Sequence, residues 1–236
     1  MYGNSNLDGA LRILCGDNSP EQFYEFSLKS MQLLFDGLVE KKPENLERQN
    51  EIFDGVFNSL KIGISQHFRS ESIDYEKCLE FISENKSDII KYGSEKISKK
   101  RHLSKFKFIV RTSLDQILPA LNDIEIDTLV PIASGGFEPC AIIADYLDRN
   151  NRTYETLPVR YSRLSKLDKY VLAPHFLGDS KIKESIRDKN VLIVEDLLHT
   201  GESADKTLEF VMRFKPKDVF LSTCVILNEG ELNFIH

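Results

Sequence analysis

The chain has 236 residues, 41% of them hydrophobic and 29% charged, with a formal net charge of −6. That length allows one large domain or a domain with a sizeable appendage, and the composition is that of an ordinary globular protein. The acidic balance argues against a general nucleic-acid or membrane surface, although a local basic loop can still bind phosphate. No apolar run reaches the length of a membrane span, and the start MYGNSNLDGA lacks the basic-then-apolar layout of a secretory signal, so the chain reads as cytoplasmic.

The first hundred or so residues predict helices. Ser19-Pro20-Glu21-Gln22 has the form of a capping box with proline at the first helical position, and Tyr24, Leu28, Met31, Phe35 and Leu38 follow at spacings of four and three. A second helix is expected from near Pro43, with Leu46, Phe53, Val56, Phe57, Leu60 and Ile64 along one face. A third is expected over roughly Asp74 to Ile97, with Leu79, Ile82, Ile89 and Ile90 inward, and a fourth over Phe106 to Leu121. The polar stretch SEKISKKRHLSK, Ser94 to Lys105, marks the domain boundary, dividing a helical region, 1–104, from a core, 105–236.

After the boundary the period changes. DTLVPIAS, Asp127 to Ser134, predicts a strand that ends in Gly135-Gly136. A helix with Phe137, Cys140, Ala141, Ala144 and Leu147 on one side follows. Further strands are expected over Tyr154 to Val159, Val191 to Val194 and Val219 to Leu227, with a helix over Ala204 to Phe214; ELNFIH, Glu231 to His236, could add a last strand. Alternating strands and helices imply β-α-β units and a parallel sheet, an α/β fold. The segment Arg160 to Lys189 reads either as a solvated loop with a short helix around Leu164 to Leu172, or as an active-site lid carrying Arg160, Arg163 and Lys166 toward an anionic ligand. Cys15, Cys78, Cys140 and Cys224 are scattered without a C-x-x-C pair or a histidine at zinc spacing, and read as buried free thiols.

In an open parallel sheet, ligands bind beyond the carboxyl ends of the strands. Ser134-Gly135-Gly136 and Thr200-Gly201-Glu202-Ser203 both follow strands and precede helices, so both are expected at that edge. Each offers backbone N–H groups and the positive end of a helix dipole to phosphate, with glycine allowing the conformation and the anion's approach, and Thr200 and Ser203 add hydroxyls. Between them, Glu195 and Asp196 close an apolar strand; carboxylates there can accept from ribose hydroxyls or help hold a hydrated Mg2+.

The ordered combination in VLIVEDLLHTGES, Val191 to Ser203, resembles the phosphoribosyl diphosphate (PRPP) signature of the type I phosphoribosyltransferases. LVPIASGGFEPCAIIADYL, Leu129 to Leu147, is similar to that family's strand, diphosphate loop and helix, and the resemblance covers roughly Ile126 to Leu227. It implies a parallel-sheet phosphoribosyltransferase-like core with an N-terminal helical subdomain, which would serve as hood or interaction part. Carried over by position, Glu195 and Asp196 engage the ribose hydroxyls directly or through Mg2+, Thr200, Gly201, Glu202 and Ser203 cradle the 5′-phosphate, and Ser134, Gly135 and Gly136 bind diphosphate. The reaction implied is displacement of diphosphate from C1 of the ribose by a nucleobase or similar nitrogen acceptor. The family commonly dimerises, so a homodimer is the assembly the resemblance suggests.

Three positions depart from the pattern. His199 stands where the family usually has an acid; it can transfer a proton at neutral pH, mark a different acceptor, or accompany lost catalysis. Glu202 puts a carboxylate into the phosphate turn, where at about 5 Å and an effective dielectric of 20 it would meet repulsion on the order of 3 kcal/mol unless its side chain points away. Ser134 replaces a common lysine or arginine. Three readings therefore stand: a Mg2+-dependent phosphoribosyltransferase with His199, Glu195 and Asp196 as catalytic residues, a non-catalytic sensor of PRPP or a nucleotide, and a helical interaction module fused to a degenerate α/β domain.

Overall fold

In the computed structural model the described residues are 6–16, 18–41, 44–94, 107–133, 135–161, 170–172, 179–198 and 200–226. The chain forms two compact units: one comprises Met1–His102 with Ala141–Arg149 and Leu172–Leu177, the other Leu103–Cys140, Asn150–Val171 and Gly178–His236.

The first unit is helical. It opens with α1, Leu7–Leu14, a helix the sequence reading does not anticipate because its eight residues are too few to show a periodic stripe. In α2, Pro20–Glu40, the expected capping box forms: Gln22 N–H donates to Ser19 Oγ at 3.3 Å and Ser19 N–H donates to Gln22 Oε1 at 3.1 Å. Phe23, Leu34, Phe35 and Leu38 of α2 are buried. Helix α3, Leu46–Phe68, packs against it, with Phe35 and Phe53 ring centroids 5.9 Å apart. The helix starts at Leu46 behind an Asn45 cap, and Leu46, expected inward, is 39% exposed because it lies in the first turn.

The expected third helix is two. Helix α4, Tyr75–Glu84, and α5, Lys86–Tyr92, are separated at Asn85, whose side-chain amide donates to the Phe81 carbonyl at 2.8 Å. That bond caps the end of α4 and breaks the run. Cys78, Ile82 and Ile89 face the core, whereas Leu79 and Ile90 are half-buried. Cys15, expected buried, is exposed; the other three thiols are buried and all four are free.

The second unit contains α6, Lys107–Ala120, followed by a 3-10 turn, Leu121–Asp123, and a parallel sheet. Its strands are β1, Thr128–Pro131, β2, Glu155–Thr156, β5, Asn190–Leu198, and β6, Asp218–Ile226, in the order β2-β1-β5-β6 with every pairing parallel. Strands β3, Val159–Tyr161, and β4, Tyr170–Leu172, form a second, two-stranded sheet. The helices are α7, Phe137–Arg149, α8, Asp179–Ile186, and α9, Glu202–Met212. The α/β fold with a parallel sheet and a helical N-terminal region is thus the observed architecture. Residues 170–172 are strand and not part of the helix expected over Leu164 to Leu172; the rest of that helix and the strand expected at Glu231 to His236 lie outside the described residues. Helix α8 is an addition that the polar composition of its segment conceals. Among the described residues no helix is long and apolar enough to cross a membrane.

Strand β5 holds the sheet together. Val191 to Val194 are 0–2% exposed, and full burial of such side chains contributes about 1.5–3 kcal/mol each. The strand runs four residues past Val194, so Glu195 and Asp196 lie inside β5 and not at its end. They still mark the ligand edge: the pairing with β1 stops at Pro131 opposite Val194, and beyond it β5 pairs with β6 alone.

Helix α7 begins in the sheet unit and its greater part, Ala141–Arg149, belongs to the helical unit. There Asp145 accepts from Ser65 Oγ at 2.7 Å and from Arg69 Nη1 at 2.5 Å, and Lys61 pairs with Asp148 at 2.6 Å. These side chains of α3 and the loop after it hold the Ala141–Arg149 stretch of α7 within that unit.

Candidate functional site

The first glycine turn leaves β1 at Ile132 and enters α7 at Phe137. Three bonds set its path: Ile132 N–H donates to Val194 O at 2.9 Å, Ala133 N–H to Val159 O at 2.7 Å, and Gly136 N–H to Ile132 O at 2.8 Å. Gly136 is required by space against backbone, whereas Gly135 is limited by the Asp196 side chain. A Cβ on Gly135 would lie 2.0 Å from Asp196 Oδ1, and one on Gly136 would lie 2.2 Å from Val194 O and 2.7 Å from Ile132 N. The conformational argument for glycine does not hold here, because Gly201 is the only glycine with positive φ among the described residues.

Consecutive side chains of a strand point to opposite faces, so the two acids of β5 diverge. Asp196, half-buried, is the carboxylate that meets the Gly135 backbone. Glu195 is turned to the other face and is 7% exposed. Beside Asp196 the fold places a third acid that the sequence reading passes over. Glu138, in the first turn of α7, is 6% exposed; burial, and then the Asp196 carboxylate, push its carboxyl up to about 7. The same pair acts on Cys224 of β6, whose thiol is pushed up to about 12 by burial first and then by Glu138 and Asp196. In the sequence Glu138 looks like an ordinary first-turn acid complementing the helix dipole, and nothing in its spacing signals burial.

The second turn precedes α9. Gly201 adopts the left-handed conformation, φ 75° and ψ −13°, which a side chain would strain. The first amides of α9 have no intrahelical acceptor by helix geometry and face the turn, though Glu202 N–H makes a long contact with Thr200 Oγ1 at 3.5 Å. Ser203 is half-buried, and its carbonyl accepts from Thr207 Oγ1 at 2.7 Å. Glu202 is engaged by Tyr161, the last residue of β3, whose hydroxyl donates to Glu202 Oε1 at 3.3 Å. No sequence pattern links these two residues, which are 41 positions apart.

The structure therefore brings Gly135, Gly136 and Asp196 into one site and sets Glu138 behind them. Thr200 to Ser203 form the turn that β5 leads into. Arg160 is the middle residue of β3 and half-buried. Ser134, Arg163, Lys166 and His199 lie outside the described residues. A separate groove of about 970 Å³ in the helical unit is lined by Cys15, Asn18, Tyr75, Lys77, Glu80 and Ser83 among others and contains none of the motif residues.

Comparison with known proteins gives a consistent family. The family model for the phosphoribosyl transferase domain matches residues 101–232. The chain is 33% identical over 106 residues to the transcriptional regulator GfcR of Methanococcus maripaludis, covering 44% of this chain and 48% of the relative. It is 25% identical over 111 residues to phosphoribosyltransferase domain-containing protein 1 of Xenopus laevis, covering 45% of this chain and 49% of the relative. The chain thus spans about half the length of the curated relatives it matches. Among solved structures, a purine phosphoribosyltransferase from Pyrococcus horikoshii is similar at 19% identity and a TM-score of 0.41, over 51% of this chain and 74% of that one.

Proposed function

Because the chain belongs to the phosphoribosyl transferase domain family, we propose that it is a Mg2+-dependent phosphoribosyltransferase of the cytoplasm. It transfers the phosphoribosyl group of PRPP to a nucleobase or similar nitrogen acceptor and releases diphosphate. The observation that carries this reading is the packing of the Gly135 backbone directly against the Asp196 carboxylate, with no room for a Cβ between them. An anion on the loop and a ribose or metal on the acid would then be neighbours, as one PRPP molecule requires.

The donor set fits Mg2+ in its usual substrate-borne form, in which one or two carboxylates and the substrate's phosphates share the ion with water. Among the described residues no three His, Cys, Asp or Glu side chains gather into a cage, while Asp196 stands at the loop. When bound, Mg2+ neutralises the diphosphate charge that develops on departure. The remaining work falls to the chain. The loop of Ser134, Gly135 and Gly136 and the start of α7 hold diphosphate, and Thr200 to Ser203 with the α9 amides hold the 5′-phosphate. Asp196 accepts from the ribose hydroxyls, His199 holds or moves a proton at its imidazole, and Arg160, Arg163 and Lys166 supply lid cations. Holding both ends of the ligand fixes C1 for in-line attack, which is catalysis by positioning and charge. The assembly is a homodimer.

The test is diphosphate release from PRPP across a panel of nitrogen acceptors. Turnover is expected, and Asp196→Asn is expected to reduce it about 100-fold. Tight PRPP binding with no turnover on any acceptor would overturn the enzyme reading. It would favour a second one, a sensor of PRPP or a nucleotide whose helical unit carries the output. That alternative is supported by the 33% identity to a transcriptional regulator. Calorimetry with PRPP, nucleoside monophosphates and Mg2+ separates the two.

A further inference from the structure

The turn of Gly135 and Gly136 belongs to the sheet unit together with Glu138 and Asp196. Glycine in such a turn opens a way for an anion to approach the backbone. At Gly135 that way is taken by the chain itself. The position of a Cβ on Gly135 lies 2.0 Å from Asp196 Oδ1, 2.5 Å from its Cγ and 2.8 Å from its Oδ2, so the whole carboxylate fills the space that the missing side chain leaves. The rest of the turn is tied to neighbouring strands: Ile132 N–H donates to Val194 O at 2.9 Å and Ala133 N–H to Val159 O at 2.7 Å, while Gly136 is pressed onto Val194 O. The Asp196 charge also reaches beyond the contact. After burial, it is what acts on the Glu138 carboxyl in the first turn of α7, and it acts together with Glu138 on the Cys224 thiol. Whatever else its oxygens touch, the Asp196 carboxylate lies against the backbone that would receive diphosphate.

We propose that Asp196 is the selectivity gate of the diphosphate turn: its carboxylate, lying on Gly135, turns away a bare polyanion and admits diphosphate only together with a divalent cation. This rests on the reading of that turn as the diphosphate site. Like charges in contact repel strongly where burial lowers the effective dielectric, and a divalent ion between them reverses the sign of the interaction. The contact therefore keeps free phosphate and free diphosphate off the turn and makes cation and anion bind as one unit. This role is separate from accepting ribose hydroxyls, since it acts on a ligand that has no ribose. A carboxylate that only packed the turn would give no such cation dependence, because the asparagine amide fills the same space.

The experiment is calorimetry of the full chain with inorganic diphosphate, once in EDTA and once with Mg2+, and with PRPP in Mg2+ as a reference. The wild type is expected to bind diphosphate at least about tenfold more weakly in EDTA than in Mg2+. Asp196→Asn is expected to bind cation-free diphosphate about tenfold tighter than the wild type does, equivalent to about 1.4 kcal/mol, and to gain less than about twofold from Mg2+. Asp196→Ser, which clears the space as well as the charge, is expected to behave in the same way and serves if the asparagine variant fails to fold. The inference is overturned, while the PRPP reading stands, if the wild type binds diphosphate as well in EDTA as in Mg2+, if it binds PRPP but no diphosphate, or if both variants stay as cation-dependent as the wild type. If the wild type binds neither diphosphate nor PRPP in Mg2+, the PRPP reading falls and takes this inference with it.

Discussion

The two glycine turns look alike in the sequence, each a small-residue turn between strand and helix, yet they meet the same demand by different physics. In the turn of Gly135 and Gly136 the backbone is pressed onto Val194 O and the Asp196 carboxylate, and at Gly136 glycine is there because a Cβ would run into backbone. In the turn of Gly201 the backbone is left-handed, and glycine is there because other residues dislike that φ. Their acids differ in the same way. Glu138 is sealed beneath the first turn beside another carboxylate, and Glu202 is half-buried and held by a hydroxyl. The first turn is therefore a matter of packing and buried charge, the second of local conformation and a single side-chain orientation.

That contrast can be broken by substitution. The largest stability effect is expected for Gly136→Ala, whose Cβ meets two backbone atoms that cannot move independently. Overpacking of this kind costs about 3 kcal/mol, read as a fall in the denaturant midpoint. Gly201→Ala meets backbone strain at φ 75° and should cost about 1 kcal/mol in the same assay. Equal costs at the two sites would erase the distinction.

Glu138 gives a prediction of similar size to Gly136→Ala but dependent on pH. Its carboxyl is pushed up to about 7 from an ordinary value of 4.5. Below about pH 4.5 it is neutral in both folded and unfolded chains, and stability is fully present. As pH rises, the unfolded chain ionises first and stability falls, the loss being complete once the folded carboxyl also ionises above about 7. Glu138→Gln escapes this loss. In metal-free protein it is expected to be more stable than the wild type at pH 8, by on the order of 3 kcal/mol, and to match it near pH 4. Urea melts at the two pH values decide the matter, and a gain that does not change with pH would show that burial of charge is not its source.

What could be read in advance follows the range of the interactions. The capping box at Ser19 and Gln22, the stripe of α2, the run Val191 to Val194 and both glycine turns depend on residues within a few positions of each other, and they were legible in full. The division of the third helix at Asn85 was less so, since one side-chain bond to Phe81 outweighs an apolar pattern that continues on both sides. The length of β5 also escaped the pattern. Two acids, Glu195 and Asp196, interrupt its apolar run, and what keeps the residues beyond Val194 in a strand is pairing with β6, which no local signal announces.

By itself the sequence determined the helical character of the N-terminal region, the main strands around the two glycine turns, the identity of those turns, and the acids between them, because local spacing and turn chemistry suffice for these. Only the tertiary structure decided that Asp196 faces the Gly135 backbone while Glu195 turns away, that Glu138 is a buried third acid, and that the Tyr161 hydroxyl lies within hydrogen-bond reach of Glu202. Each of these depends on burial or on a contact between elements distant in the chain, and both arise only when the sheet closes around them.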